Sequence, residues 1–349
     1  MNGQPARIGS WRTLRLGDHS LRLYPRGWVV AASLAALALL LAAAELLAGR
    51  SALGVQQVAL ALLGQEDGVA ERIVLDIRLP RALVALFAGA ALGVSGAVFQ
   101  SVSRNVLGSP DIIGFTLGAA TGAIAQIVLF GHGGVPVSLA AVGGGLLTAA
   151  LVYLLALKDG ASGGYRLVLV GVGVGAILDA LNGLMLVKGN LDNAVMANLW
   201  RAGSLDARTW GHALPLMAGV VLVLPCVLLL GRRLQLLEMG DDLAMQLGIG
   251  VERTRLAAVA CGVLLAALAT AAAGPIAFVA LAAPQLAARL CGGGRLPLLA
   301  AAAMAACLLL LADLGAQALP WRLNLPIGRM TGIVGGAYLI WLLGRGRRG

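Results

Sequence analysis

Leu256 to Ala288 form 33 consecutive residues without a charge. One upright membrane helix needs only about 20. Gly274-Pro275 interrupts the run, and proline both removes a backbone donor and crowds the preceding turn. The stretch therefore reads as one span before the break and a second beginning at it. Further apolar runs lie at Trp28–Ala48 and at about 82–100, 112–131, 135–157, 167–187, 211–231, 297–316 and 326–344, giving ten expected spans. The fold class expected is all-α: a polytopic membrane protein with a ten-helix domain over residues 27–344.

Only 12% of the 349 residues are charged, against about 25% in soluble domains. A water-soluble fold, a disordered chain and a disulfide scaffold are excluded. The net charge of +10 would suit nucleic acid only on the basic face of a soluble domain, so no nucleic-acid partner is expected. Instead the basic residues lie mostly between apolar runs, where they set topology. Residues 1–26 are polar and Arg-rich, without a signal-peptide cleavage pattern, and read as a cytoplasmic tail. Residues 345–349 form a second basic tail. With ten spans and both termini inside, 17 of the 26 Lys and Arg residues fall on the cytoplasmic side.

Helices in lipid gain nothing hydrophobic by associating, so small residues must bring their backbones together. Gly89–Ala97 ("GAALGVSGA") and Gly171–Ala176 ("GVGVGA") are stripes of that kind. The second is no nucleotide fingerprint, since it sits mid-span with no strand before it. Cys226, Cys261, Cys291 and Cys307 read as small core hydrophobes. His19, His132 and His212 are far apart. No metal site, cofactor or catalytic residue is expected.

Energy for transport must come from somewhere. The two lysines, Lys158 and Lys188, stand in no Walker A pattern, which excludes P-loop ATP binding. Proton coupling needs intramembrane carboxylates. Asp179 lies deep in the fifth span and reads first as a structural hydrogen-bonding group, with Asn182 the nearest partner. Glu45 and Asp313 stand nearer span ends, within reach of the interface. The segment 236–255, "LLEMGDDLAMQLGIGVERTR", instead offers a cytoplasmic docking surface. Leu243, Ala244, Leu247 and Ile249 give it a short apolar face, and Asp241 and Asp242 at its start suit a helix dipole. An ordinary surface loop is the other reading.

This segment resembles the coupling-helix region of the iron-siderophore and vitamin B12 ABC importer permeases. "RLPRALVALFAGAALGVSGAVFQSVSRNVLGSP" (Arg78–Pro110), "GPIAFVALAAPQLAARLCG" (Gly274–Gly292) and "ADLGAQALPWRLNLPIGRMTGIVGGAYLIWLL" (Ala312–Leu343) resemble further family signatures in the same order. "RNVLGSPDIIGF" followed by "GAATGAIAQIVLFG" is most similar to the ferric enterobactin branch of that family. The resemblance implies a vitamin B12 importer-like fold in a bacterial inner membrane and alternating access without covalent chemistry. It also implies two separate cytoplasmic ATPases, a second and here paralogous permease subunit, and a periplasmic siderophore-binding protein. Coupling would fall to Gly240, Asp241, Asp242, Ala244, Leu247 and Gly248.

By the same resemblance, Arg78 and Arg81 would hold carboxylates of the binding protein. A third family arginine is replaced by Gln317, for which Arg322 is the candidate substitute. Trp200, in "WRAGSL", resembles the short outer helix that gates the pathway, although an interfacial aromatic anchor is the simpler reading. Asp179 and Asn182 would lie along the path, lined by spans five and ten. The sequence departs from the family at Val106, Gln285 and Ala337, and the last departure predicts a straighter final helix. A vitamin B12 or haem importer shares all these motifs. A proton-coupled transporter is the rival from another class.

Overall fold

The computed structural model describes residues 12–16, 19–23 and 25–345, except 50, 52, 66–67, 132–134, 158–163, 293–295 and 319–325. Helices dominate. They are α1 (Pro25–Leu47), α2 (Val55–Leu62), α3 (Val69–Arg72), α4 (Leu79–Ser103), α5 (Phe115–Phe130), α6 (Val135–Ala156) and α7 (Gly164–Lys188). Then follow α8 (Leu191–Arg201), α9 (Trp210–Glu238), α10 (Asp241–Gln246), α11 (Val251–Ala273), α12 (Val279–Cys291), α13 (Leu298–Ala318) and α14 (Ile327–Arg345). A π-helical turn, Ile73–Arg78, fuses α3 to α4.

Each of the ten expected runs has its larger part in a helix. Among the described residues seven helices are long and apolar enough to cross a membrane, and α5 and α12 are shorter apolar ones. The tenth run lies in α14, which continues unbroken through Ala337. The amino-terminal tail departs from the expectation of a plain polar segment. There β1 (Arg12–Leu16) pairs antiparallel with β2 (His19–Leu23), Leu14 opposite Leu21. Leucines at 14, 16, 21 and 23 supply the two-residue period of a strand.

α4 is the centre of the bundle, packed against α13, α11, α9 and α12. Its small-residue stripe explains why. A Cβ on Gly89 would lie 2.6 Å from Ala306 Cα, one on Gly93 2.3 Å from Ala301 O, and one on Gly96 1.7 Å from Ala280 O. These are backbone-to-backbone contacts that a side chain would abolish. The α5–α6 pair repeats the device through Gly118, Gly122 and Gly144. In "GVGVGA" the pattern divides: Gly175 faces α5, whereas Gly173 has no atom within 4 Å of its Cβ direction.

The interrupted run breaks where expected but resumes late. α11 ends at Ala273, Gly274 turns the chain at φ +73°, and α12 begins only at Val279. Irregular backbone at membrane depth survives only when protein or a water-filled cavity surrounds it. Here the loop after α8 covers it: Ser204 N–H donates to Ala273 O at 2.9 Å, and Gly203 lies against Pro275 O. Gly328 of α14 closes the other side, donating to Ala202 O at 3.1 Å. Phe278, at φ +68°, caps α12 and packs under Gly335 of α14.

Gly96→Val should therefore cost more than the roughly 1–3 kcal/mol of ordinary overpacking, because its obstacle is backbone. Gly173→Val should be nearly neutral. Thermal midpoints of the detergent-purified variants test the contrast, and equal losses would show that the α4 stripe does not set the packing.

Candidate coupling face and outer ion-pair cluster

The two ends of α4 carry the two candidate sites. At 1.5 Å per residue, its 25 residues hold them about 37 Å apart, enough to place them at opposite membrane faces.

At the carboxyl end, α9 stops at Glu238 and Gly240 turns the chain at φ +116°, a value that excludes most side chains. α10 starts at once, with Asp241 and Asp242 in its first turn, and Gly248 turns the chain out again at φ +78°. Ala244 is fully buried and Ile249 half-buried, but Leu243, Met245 and Leu247 face outward. The short apolar face thus points mostly away from the chain's own core. Exposed apolar side chains beside two acids, outside the long apolar helices, make α10 a candidate interaction surface.

Asp241 does more than suit the helix dipole. Arg255 of α11, only 2% exposed, donates to both of its carboxylate oxygens at 3.0 and 2.9 Å. Arg255 also donates to Glu252 at 2.9 Å, and Tyr153 of α6 hydrogen-bonds the same carboxylate. Arg104, in the left-handed region at the end of α4, approaches Asp241 at 3.6 Å. Ser101 of α4 donates to Leu234 O of α9, and Gln100 to Leu281 O of α12. Gln285 holds the following loop, donating to Val106 O at 2.8 Å. Hence α10 is pinned to α11 by one buried guanidinium, which also reaches α6 through Glu252, while Arg104 brings α4 alongside. In the sequence, Arg255 and Arg104 stand out only as two of the basic residues between apolar runs. A buried cation reaching 14 positions back leaves no periodic signal.

At the amino end of α4, Arg78 and Arg81 are already partnered. Arg78 is buried and donates to Leu46 O at 2.8 Å and Ser51 O at 2.6 Å, closing the carboxyl end of α1. Arg81 makes a bidentate pair with Asp313 of α13, at 2.8 and 2.7 Å, and reaches the exposed Asp206 at 2.7 Å. Gln317 adds a hydrogen bond to Asp313 at 3.0 Å. Asp313 and Glu45 do not reach the interface as expected. They are 1% and 3% exposed, and neither Glu45 oxygen finds a hydrogen-bond partner. In the loop after α8, Arg208 donates to Ser204 O at 3.0 Å. Burial pushes its guanidinium pKa down, and Asp206 beside it pushes the other way. Arg322 lies outside the described residues.

The gate candidates are brought together only in part. Trp200 ends α8, half-buried, its carbonyl against Gly274. Asp179 pairs with Arg201 of α8 at 3.4 Å and not with Asn182, because its carboxylate lies on the outward face of α7. Asn182 is fully buried and donates weakly to Leu117 O at 3.4 Å, leaving its own oxygen unpartnered.

Comparison with known proteins accounts for this arrangement. Residues 36–345 match the FecCD transport family. The chain is 48% identical over 295 residues to the ferric enterobactin transport system permease protein FepG of Escherichia coli K12, covering 84% of this chain and 89% of that one. It is 35% identical to FepD, a permease protein of the ferric enterobactin system in the same organism, over 90% of this chain and 94% of FepD. A solved metal-chelate-type ABC transporter in an inward-facing conformation superposes with a TM-score of 0.79 at 28% identity, covering 92% of this chain and 99% of its own. With the match running through nearly every helix described above, the chain belongs to the FecCD transport family.

Proposed function

We propose that this chain is the membrane-spanning permease subunit of an ATP-driven importer that carries a ferric siderophore of the catecholate, enterobactin-like class into the cytoplasm. The observation that carries the reading is α10: a short helix with outward apolar side chains, rigidly tied to α4 and α11, on a chain with no nucleotide-binding motif of its own. Similarity to FepG favours the catecholate cargo. Similarity to FepD as well favours a second, paralogous permease beside this one.

In this reading two ATPase subunits dock from the cytoplasm, one gripping α10 of this chain and the other the matching helix of the second permease, and both termini lie on that side. Gly240 and Gly248 let the helix stand out from the bundle. Asp241 passes its displacement through Arg255 to α11 and through Arg104 to α4, while Asp242 and Leu247 meet the ATPase. The outer end of α4 answers at Arg81, Asp206 and the loop after α8, which covers the unwound segment 274–278. Trp200 and Asp179 stand along the adjacent outer path, and Asn182, buried against α5, braces it from behind. A periplasmic binding protein docks nearby, with Arg322 offered to its carboxylates and Arg81 reachable where a partner carboxylate displaces the exposed Asp206. Arg78, closed over by α1, braces the site. A proton-coupled mechanism would route through Asp179, but its pairing with Arg201 on an outward face supports a positional role.

Uptake of radio-iron-labelled ferric enterobactin into proteoliposomes holding the assembled complex should require ATP and binding protein. Preference for vitamin B12 or haem would overturn the cargo assignment. Arg255→Gln should lower transport per ATP hydrolysed several-fold while ATPase assembly persists. Unchanged coupling would remove Arg255 from the transmission. Arg81→Gln strands the buried Asp313, at a cost of about 3–5 kcal/mol, whereas Asp206→Asn removes an exposed partner worth at most about 1 kcal/mol. Arg78→Gln should depress the thermal midpoint without changing binding-protein affinity. Lost affinity at unchanged stability would return Arg78 to the docking surface.

A further inference from the structure

A groove of about 310 Å³ opens on the side of the bundle at the end that carries α10. It lies between the first turns of α1, the last turns of α9 and the start of α13, with Cys291 of α12 behind. Gly231 makes room, since a Cβ there would stand 3.2 Å from Leu298. The volume falls at the lower end of ligand clefts, roughly 300–1,000 Å³. Most of the lining is aliphatic, with Trp28, Arg232 and Gln235 at the polar end. Trp28 is 56% exposed, as suits a ring seated at a membrane interface.

Among the described lining residues the only charge is positive. Arg232 lines it, and Arg26, held over the end of α12 by a 3.0 Å hydrogen bond to Leu290 O, stands beside it. No acidic side chain is among the lining residues. The amino ends of α1 and α13 both open into it and add partial positive charge. Basic pockets between membrane helices on the cytoplasmic side take anionic lipid headgroups.

We propose that this groove is a binding site for one anionic phospholipid. An acyl chain lies along the aliphatic wall between α1 and α9, and the phosphate sits against Arg232 and Gln235 with Arg26 alongside. Two guanidinium groups, with no acid among the described lining residues, select a net-negative headgroup over a zwitterionic one. The lipid would fill the side of α9 a few residues before α10, so bilayer composition would tune the rigidity of that end of the bundle. This assignment is independent of the cargo.

Native mass spectrometry of the full-length chain, purified in maltoside with equimolar phosphatidylglycerol and phosphatidylcholine, tests it. The wild-type chain should retain phosphatidylglycerol several-fold over phosphatidylcholine. Arg232→Gln with Arg26→Gln should erase that preference, while Arg233→Gln, one residue outside the groove, should keep it. Leu228→Trp, which narrows the groove, should reduce retention of both lipids. A second readout protects the test against a double variant that fails to fold. Phosphatidylglycerol should raise the wild-type thermal midpoint, inorganic phosphate should not, and Arg232→Gln alone should remove the rise. Equal retention of the two lipids, a preference that survives Arg232→Gln, or one lost equally in Arg233→Gln would overturn the site in favour of diffuse surface charge.

Discussion

Backbone contact along one face of α4 is the constraint from which the rest follows. Lipid offers helices no hydrophobic reward for associating, so adhesion depends on how closely main chains approach. Gly89, Gly93 and Gly96 allow α4 to touch α13 and α12 without intervening side chains. A helix held this tightly cannot bend or slide freely. It acts as a rigid post, and whatever grips one end is felt at the other.

Charged groups then mark the ends of the post. At one end Arg255 fixes Asp241, and hence α10, to α11, with Arg104 of α4 alongside. At the other end Arg81 joins α4 to α13 through Asp313 and to the loop after α8 through Asp206. That loop covers the one unwound stretch between α11 and α12 and meets the start of α14. Ion pairs with one partner buried, Arg255–Asp241 and Arg81–Asp313, are poor sources of net stability but are strongly directional. Their placement at helix junctions fits the transmission of displacement better than the strengthening of a core.

Much of this was legible in the sequence. Uncharged runs located the helices, Gly274-Pro275 located the break, and glycines at 240 and 248 with acids at 241 and 242 located α10. These signals are local: each depends on residues within one or two helical turns. What escaped notice is long-range. Arg81 and Asp313 are separated by 232 positions, and no period links them. Asp313 and Glu45 looked free to reach the interface because hydropathy sees only their own helices, whereas α4 closes over both. The partners of Arg78 have no sequence signature for the same reason: they are main-chain carbonyls at and just beyond the end of α1.

The central claim is that α10 is the handle by which a separate nucleotide-hydrolysing subunit moves this chain. A photoreactive side chain placed at Leu247 of the assembled, transport-competent complex tests it directly. Irradiation followed by mass spectrometry should yield an adduct with the ATPase subunit, while the same probe at the outward-facing Leu229 of α9 yields only lipid. If a complex that still imports cargo gives no ATPase adduct from Leu247, the handle lies elsewhere and the account is wrong.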